Sequence, residues 1–225
     1  MGGPRLDLHV HSRYSPDSRL TLEEIAARLP SVGLDGFALT DHNTVAGHGE
    51  LAALATQFPA LLLVPGVEVS TVEGHLLAYG VHEVPPLHRP VTETIAWVHE
   101  HGGVTVLSHP FRSSHGVGRK VAESAPVTAI ETVNGHNSFR ANARAAAVAA
   151  RRRLAVTGGS DVHELADVGR AYTEFPDGTK SGEDALRALR EGRQAAGGHG
   201  LSFAEWLRYE VHTALARVRR GFRPI

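Results

Sequence analysis

The sequence predicts an α/β domain whose parallel strands close, or nearly close, into a barrel. Two observations predict it. Short apolar, β-rich runs alternate with longer helical patterns along the chain, and nine residues able to ligate a metal sit at or just past the ends of those runs. Strands alternating with helices indicate parallel βαβ units. Side chains from many strands converge only where the strands lie side by side with their carboxyl ends together. A doubly wound open sheet satisfies the same pattern.

The first strand is Arg5–Val10 in RLDLHVH, where His9 and His11 have period-two spacing and so leave the same face. Two histidines buried there are costly unless something binds their lone pairs; the readings are a metal or a hydrogen-bonded pair. Arg13 and Asp17 follow in SRYSPDS, which also reads as a plain turn. Thr21-Leu-Glu-Glu24 is a capping box opening a helix to about Val32, with Gly33 ending it. A second strand, 34–39, leads to Asp41 and His42, with Asp41 placed to hold the other imidazole N–H of His42.

A helix over 45–57 precedes the third strand, 61–69, which carries Glu68. An unpaired carboxylate there would be driven towards protonation, so it needs a cation, and its two oxygens can bridge two. His75 opens a strand over 75–81, a helix covers 92–101, and a strand over 103–107 precedes His109 and Arg112. Strands over 127–133 and 154–157 flank a helix over 137–153, and Asp161 and His163 then repeat the period-two spacing after Gly158-Gly159-Ser160. A last strand over 171–175 and a helix over 182–191 complete a barrel domain over 1–200. Several strands are nearly continuous apolar runs, as expected when both faces are buried.

Residues 201–225 read as an appended amphipathic helix, opened by a second capping box at Ser202 and Glu205. Leu207, Val211, Leu215 and Val218 form its apolar stripe, and Arg208, Arg217, Arg219 and Arg220 its basic face. It either docks on the barrel with the basic face in solvent or contacts nucleic acid or a partner.

The 225 residues suit one large domain, and 42% hydrophobic content excludes wholesale disorder. A net charge of −1 offers no global field for nucleic acid or an acidic membrane. With no cysteine, any metal site uses nitrogen and oxygen ligands, which leaves zinc, manganese, iron or magnesium. No signal region or membrane-spanning run is visible, so a cytoplasmic location is expected, with no membrane and no obligatory protein partner. Arg112 and Arg13, close to the ligands, suit a phosphate oxygen pair; a salt bridge to a site carboxylate is the other reading.

Together DLHVHSRYSPDS, LTDHN, PGVEVS with EGHLLAYG, LSHPFR and GGSDVH resemble the PHP (polymerase and histidinol phosphatase) superfamily over roughly residues 5–175. The resemblance implies a distorted (β/α)7 barrel holding two to three divalent ions at the carboxyl ends of its strands. Carried over position by position, one site is His9, His11, Glu68 and Asp161, and a second is Glu68, His75 and His109, with Glu68 bridging. A third is Asp17, His42 and His163, although relatives carry histidine at the place of Asp17. Only a short Pro-rich loop and one helix separate His75 from His109, where some nucleotide-directed relatives insert a domain.

The expected function is a phosphomonoesterase acting through a metal-activated hydroxide at a trinuclear manganese, zinc or iron site, with a small phosphorylated substrate and no general acid assigned. The alternatives are a phosphodiesterase or nuclease on short oligonucleotides, and a metal-stabilised module without catalysis. An amidohydrolase with a carboxylated-lysine bridge is disfavoured, because neither Lys120 nor Lys180 ends an expected strand.

Overall fold

The computed structural model describes residues 2–208. Among the described residues, nine strands form one sheet in the order β7-β6-β5-β4-β3-β2-β1-β8-β9. They are β1 Arg5–Val10, β2 Gly36–Leu39, β3 Leu62–Ser70, β4 His75–Tyr79, β5 Val104–Leu107, β6 Ala129–Asn134, β7 Ala155–Gly159, β8 Ala171–Glu174 and β9 Ala195–Gly198. The sheet curls back on itself: Val162, just past β7, bridges in parallel to Val10 of β1, and His11 N donates to Val162 O at 3.1 Å. The result is a nearly closed barrel of the (β/α)7 type.

The sheet is mixed, which corrects the all-parallel expectation. β4 runs antiparallel to both β3 and β5. The four residues between Ser70 and His75 can close a hairpin but cannot carry a crossover helix. This reversal puts His75, at the start of β4, opposite Ser70 near the end of β3. β8 pairs antiparallel with β1 and β9 with β8, with α6 between them in the chain, and Gly158 N of β7 donates to Thr173 Oγ1 of β8 at 2.9 Å.

The helices are α1 Leu22–Val32, α2 His48–Gln57, α3 Val91–Glu100, α4 Gly118–Ser124, α5 Phe139–Arg152 and α6 Gly182–Glu191. The Thr21 capping box is formed: Thr21 Oγ1 accepts from Glu24 N at 3.2 Å, and Thr21 N donates to Glu24 Oε2 at 2.9 Å. Gly33 ends α1 at φ 71°, a left-handed turn that disfavours a side chain. α4 and β9 were not expected from sequence.

Two apolar layers grip the outside of the sheet. Leu22, Ile25 and Leu29 of α1 pack with Phe37, Leu39 and Leu54, while Ile95, Val148 and Ala149 pack with Leu107 and Ile130. Leu186 and Leu189 of α6 join Leu6, Leu8, Val64, Leu77, Tyr79 and Val106 in another cluster. Gly182 of α6 abuts Leu63 O and Leu186 abuts Gly80, so α6 covers the end of the barrel where the parallel strands begin. The opposite end, where they finish, stays clear of it.

The Ser202 capping box also forms, with Ser202 N donating to Glu205 Oε2 at 2.9 Å and Glu205 N to Ser202 Oγ at 3.3 Å. Leu207, first of the expected apolar stripe, is 49% exposed. Val211, Leu215, Val218, Arg217, Arg219 and Arg220 lie outside the described residues. No helix among the described residues is long and apolar enough to cross a membrane.

Candidate metal centre

All nine candidate ligands meet at the clear end of the barrel. His9 and His11 leave the end of β1, His42 follows β2, Glu68 lies on β3, and His75 opens β4. His109 follows β5, and Asp161 and His163 follow β7. His109 and Asp161 have φ of 26° and 60°. Non-glycine residues in this region persist only where their surroundings over-determine them, and such strain gathers at functional sites.

Glu68 stands in the middle. Its Oε2 lies 3.3 Å from His9 Nε2, 3.4 Å from His11 Nε2 and 3.1 Å from His42 Nδ1. Its Oε1 lies 3.0 Å from His75 Nδ1 and 3.1 Å from His109 Nε2, and accepts from Ser108 Oγ at 2.7 Å. Asp161 Oδ1 completes the first set, 3.6 Å from His9 Nε2 and 3.3 Å from His11 Nε2. Asp17 Oδ2 gathers a third, 3.2 Å from His42 Nε2 and 3.1 Å from His163 Nε2. Donors sharing one ion, each about 2.1 Å from it, stand roughly 3 Å apart, so these spacings are those of common ligands.

The donor chemistry fits a divalent cation. The Nε2 atoms of His9 and His11 and Oε2 of Glu68 are buried without a hydrogen-bond partner, a costly state that a cation would relieve. Burial pushes His11 and His109 down to about 3, which keeps these imidazoles neutral with their lone pairs available. Burial opposes charge on Glu68, but His75, His9 and His42 hold it well below the usual carboxylate range. Burial likewise opposes charge on Asp161, but Arg112, His9, His11 and His163 together hold it well below the usual carboxylate range. Groups of three donors close enough for one ion are His9, His11 and Asp161; His9, Glu68 and His109; His42, Glu68 and His75; and His11, His42 and His163.

The third set is the open one. Side-chain exposure is 30% for Asp17, 18% for His42 and 26% for His163, against at most 2% for His9, His11, Glu68, His109 and Asp161. Burial opposes charge on His163, but its hydrogen bond to Asp17 and the charges of Asp161 and Asp17 raise it to about 9. At pH 7.5, below that value, metal-free His163 therefore carries a proton that coordination to a metal would displace. Loading the protein at pH 7.5 should release at least one proton per chain, read by calorimetry in buffers of different ionisation enthalpy. Asp17→Asn, which removes one of the two raising partners, should reduce the release.

Of the second-rank residues, Asp41 and Arg13 stand elsewhere than expected, and Arg112 makes the salt bridge to a site carboxylate that was one of its two readings. Asp41 does not hold His42: it accepts from Ser12 N at 2.6 Å and Ser12 Oγ at 2.8 Å, while both nitrogens of His42 face Glu68 and Asp17. Arg13 turns outward, donating to Glu50 Oε2 at 2.6 Å and lying over the Tyr14 ring. Arg112 reaches the cluster but is tied into it, bonded to Asp161, to Asn134 Oδ1 at 2.7 Å and to Asn137 Oδ1 at 3.1 Å. His115 stacks on His75 with ring centroids 4.6 Å apart.

Sequence reasoning missed Glu131 and Asp7. Glu131, on β6, has Oε1 2.9 Å from His9 Nδ1. It interrupts an apolar run, AIETV, just as Glu68 does, so the signal was present. Asp7 accepts from Ser160 N and His9 N, and burial pushes it up to about 7.

Fold and site together define a barrel protein with a histidine–carboxylate centre at the carboxyl ends of its strands. Residues 7–108 match the PHP domain and residues 139–194 match a PHP-associated region; the chain belongs to the PHP domain family. It is 31% identical over 117 residues to an uncharacterised protein of Methanocaldococcus jannaschii, covering 48% of this chain and 68% of that one. A second uncharacterised protein of that organism is 28% identical over 182 residues, covering 76% and 70%. A 5'-3' exoribonuclease of Haemophilus influenzae is 40% identical over 67 residues, 30% of this chain and 24% of that enzyme. Among solved structures, PsfC from Pseudomonas syringae aligns with a TM-score of 0.71 at 18% identity, covering 97% of this chain and 99% of that one. A candidate metal-dependent phosphoesterase from Bifidobacterium adolescentis aligns at 0.62 and 18% identity, covering 88% and 97%. An amidohydrolase from Chromobacterium violaceum, with bound sulfate and no metal, aligns at 0.63 and 21%, covering 84% and 97%. These structures share the fold.

Proposed function

We propose that the protein is a metal-dependent hydrolase, specifically a phosphomonoesterase with three divalent ions of manganese, zinc or iron. The observation that carries this reading is the division of Glu68: one oxygen faces His9 and His11, the other His75 and His109. A third donor set around Asp17 stands at the open mouth. Bound divalent ions lower the pKa of water and neutralise phosphoryl oxygens. The chain's own residues would hold the ions: Glu68 would offer one oxygen to each of two, Ser108 Oγ fixes one of those oxygens, and Asp161 is oriented by Arg112 and Asn134. In this reading a terminal phosphate would enter past the exposed Asp17 set, with Arg112 held beside Asp161.

Lys120 lies on α4 and Lys180 just before α6, both exposed, so no lysine of the described residues stands where a carboxylated bridge would be needed. A second reading, hydrolysis of short oligonucleotides, draws on the local likeness to the exoribonuclease. The two readings differ in salt response, because following several phosphates makes binding steeply salt-dependent and holding one does not. No protein partner enters either reading.

Arg112→Ala should lower kcat/KM on a small phosphomonoester about tenfold or more, the loss of one charge-assisted contact. Metal content is measured beside the rate. A loss at full metal content supports a phosphate contact; unchanged kcat/KM at full metal content removes Arg112 from the substrate site.

A further inference from the structure

We propose that Glu131 is a positioning residue that couples two of the metal positions, acting through the His9 ring and the His109 backbone. The proposal rests on the metal-centre reading above. Glu131 is 1% exposed on β6. Its Oε1 faces His9 Nδ1 at 2.9 Å, and its Oε2 accepts from His109 N at 2.8 Å and from Asn134 Nδ2 at 2.9 Å.

Each oxygen has a distinct effect. A carboxylate oxygen facing Nδ1 selects the tautomer with the proton on Nδ1, which leaves the lone pair on Nε2. His9 Nε2 is the buried, unpartnered atom that points at Glu68 Oε2 and Asp161 Oδ1. The other oxygen acts on His109, whose φ of 26° must be held by its surroundings. The bond to its N–H is one such hold, and from that backbone His109 Nε2 reaches Glu68 Oε1. One carboxylate thus fixes a ligand on each side of the bridging Glu68.

Other imidazoles of the centre are oriented differently. His11 Nδ1 lies 3.4 Å from Ser15 Oγ, and His163 Nδ1 lies 2.8 Å from Asp161 O. Among the described residues, no hydrogen bond joins Glu131 to Asp17, His42 or His163. Glutamine at 131 would offer one acceptor and one donor where two acceptors are needed. Turned one way, its NH2 group opposes His9 Nδ1–H or drives that proton to Nε2. Turned the other way, it opposes His109 N–H and Asn134 Nδ2.

The test is cobalt(II) titration of wild type, Glu131→Gln and Glu131→Asp, followed by visible absorption and chelator competition, with Asp17→Asn identifying the third position. Nitrogen NMR of the His9 ring and thermal unfolding of the chelated proteins accompany it. Glu131→Gln should weaken two positions about 10- to 100-fold, the usual effect of losing an outer hydrogen-bond partner of a ligand. It should also change the His9 tautomer and leave the third position within about threefold; Glu131→Asp should recover part of the loss. Equal weakening of all three positions in Glu131→Gln, or an unchanged His9 tautomer with unchanged affinity, would overturn the proposal. Wild type binding no cobalt would instead overturn the metal-centre reading, and this proposal with it.

Discussion

Glu68→Gln is expected to strip metal from two positions at once and lower kcat about a thousandfold, on the order of 4 kcal/mol. The amide keeps one acceptor and replaces the other oxygen with a donor. If the donor falls on the Oε2 side, it meets the lone pairs of His9 and His11; on the Oε1 side it meets His75 and His109. Neither placement can bridge two cations. Asp17→Asn should be milder, because Asp17 gathers only His42 and His163 at the solvent-exposed rim. Metal content per chain and rate are measured together. A Glu68→Gln protein with the wild-type metal count would show that Glu68 does not bridge.

The second large effect is expected from a substitution that touches no ligand atom. A Cβ at Gly159 would stand 2.4 Å from His9 Cβ, 2.8 Å from His9 N and 3.0 Å from Glu131 Oε1. Two of these are part of the β1 backbone or fixed to it, so they cannot swing aside as a side-chain tip would. Gly159→Ala should therefore lower stability by about 1–3 kcal/mol, the usual range for overpacking. Because the displaced residue is His9, metal affinity should fall about tenfold or more as well. Denaturant unfolding of the chelated protein and metal competition check the two parts. Unchanged metal affinity would mean that β7 does not set the position of His9.

Much of this was legible before the structure because the relevant signals are local. The capping box at Thr21 and Glu24 fixed the start of α1, and the apolar run before Glu68 marked β3. β9 is Ala195–Gly198, four small residues with no β-branched side chain, and it forms only because β8 offers a free edge. α4 is too short for a helical period to show. The antiparallel β4 was within reach, since four residues cannot hold a crossover helix. At the site, the nine residues found from strand-end positions do meet. The sequence could not show which carboxylate faces which nitrogen. Asp41 sits next to His42 in the chain yet bonds Ser12, while Glu131, far from His9 in sequence, takes the ring contact.

In the proposed function, nitrogen and oxygen ligands alone hold metal ions that hydrolyse a phosphate monoester. The most direct measurement is phosphate release from a panel of monoesters and short oligonucleotides by the chelated protein, then by the protein reconstituted with manganese, zinc or iron. No release is expected after chelation, with recovery on adding at least one of these metals, preference for small monoesters, and mild dependence on salt. Full activity after exhaustive chelation would contradict the metal mechanism. Strong preference for long single strands, lost steeply as salt rises, would contradict the monoesterase assignment and favour a nuclease.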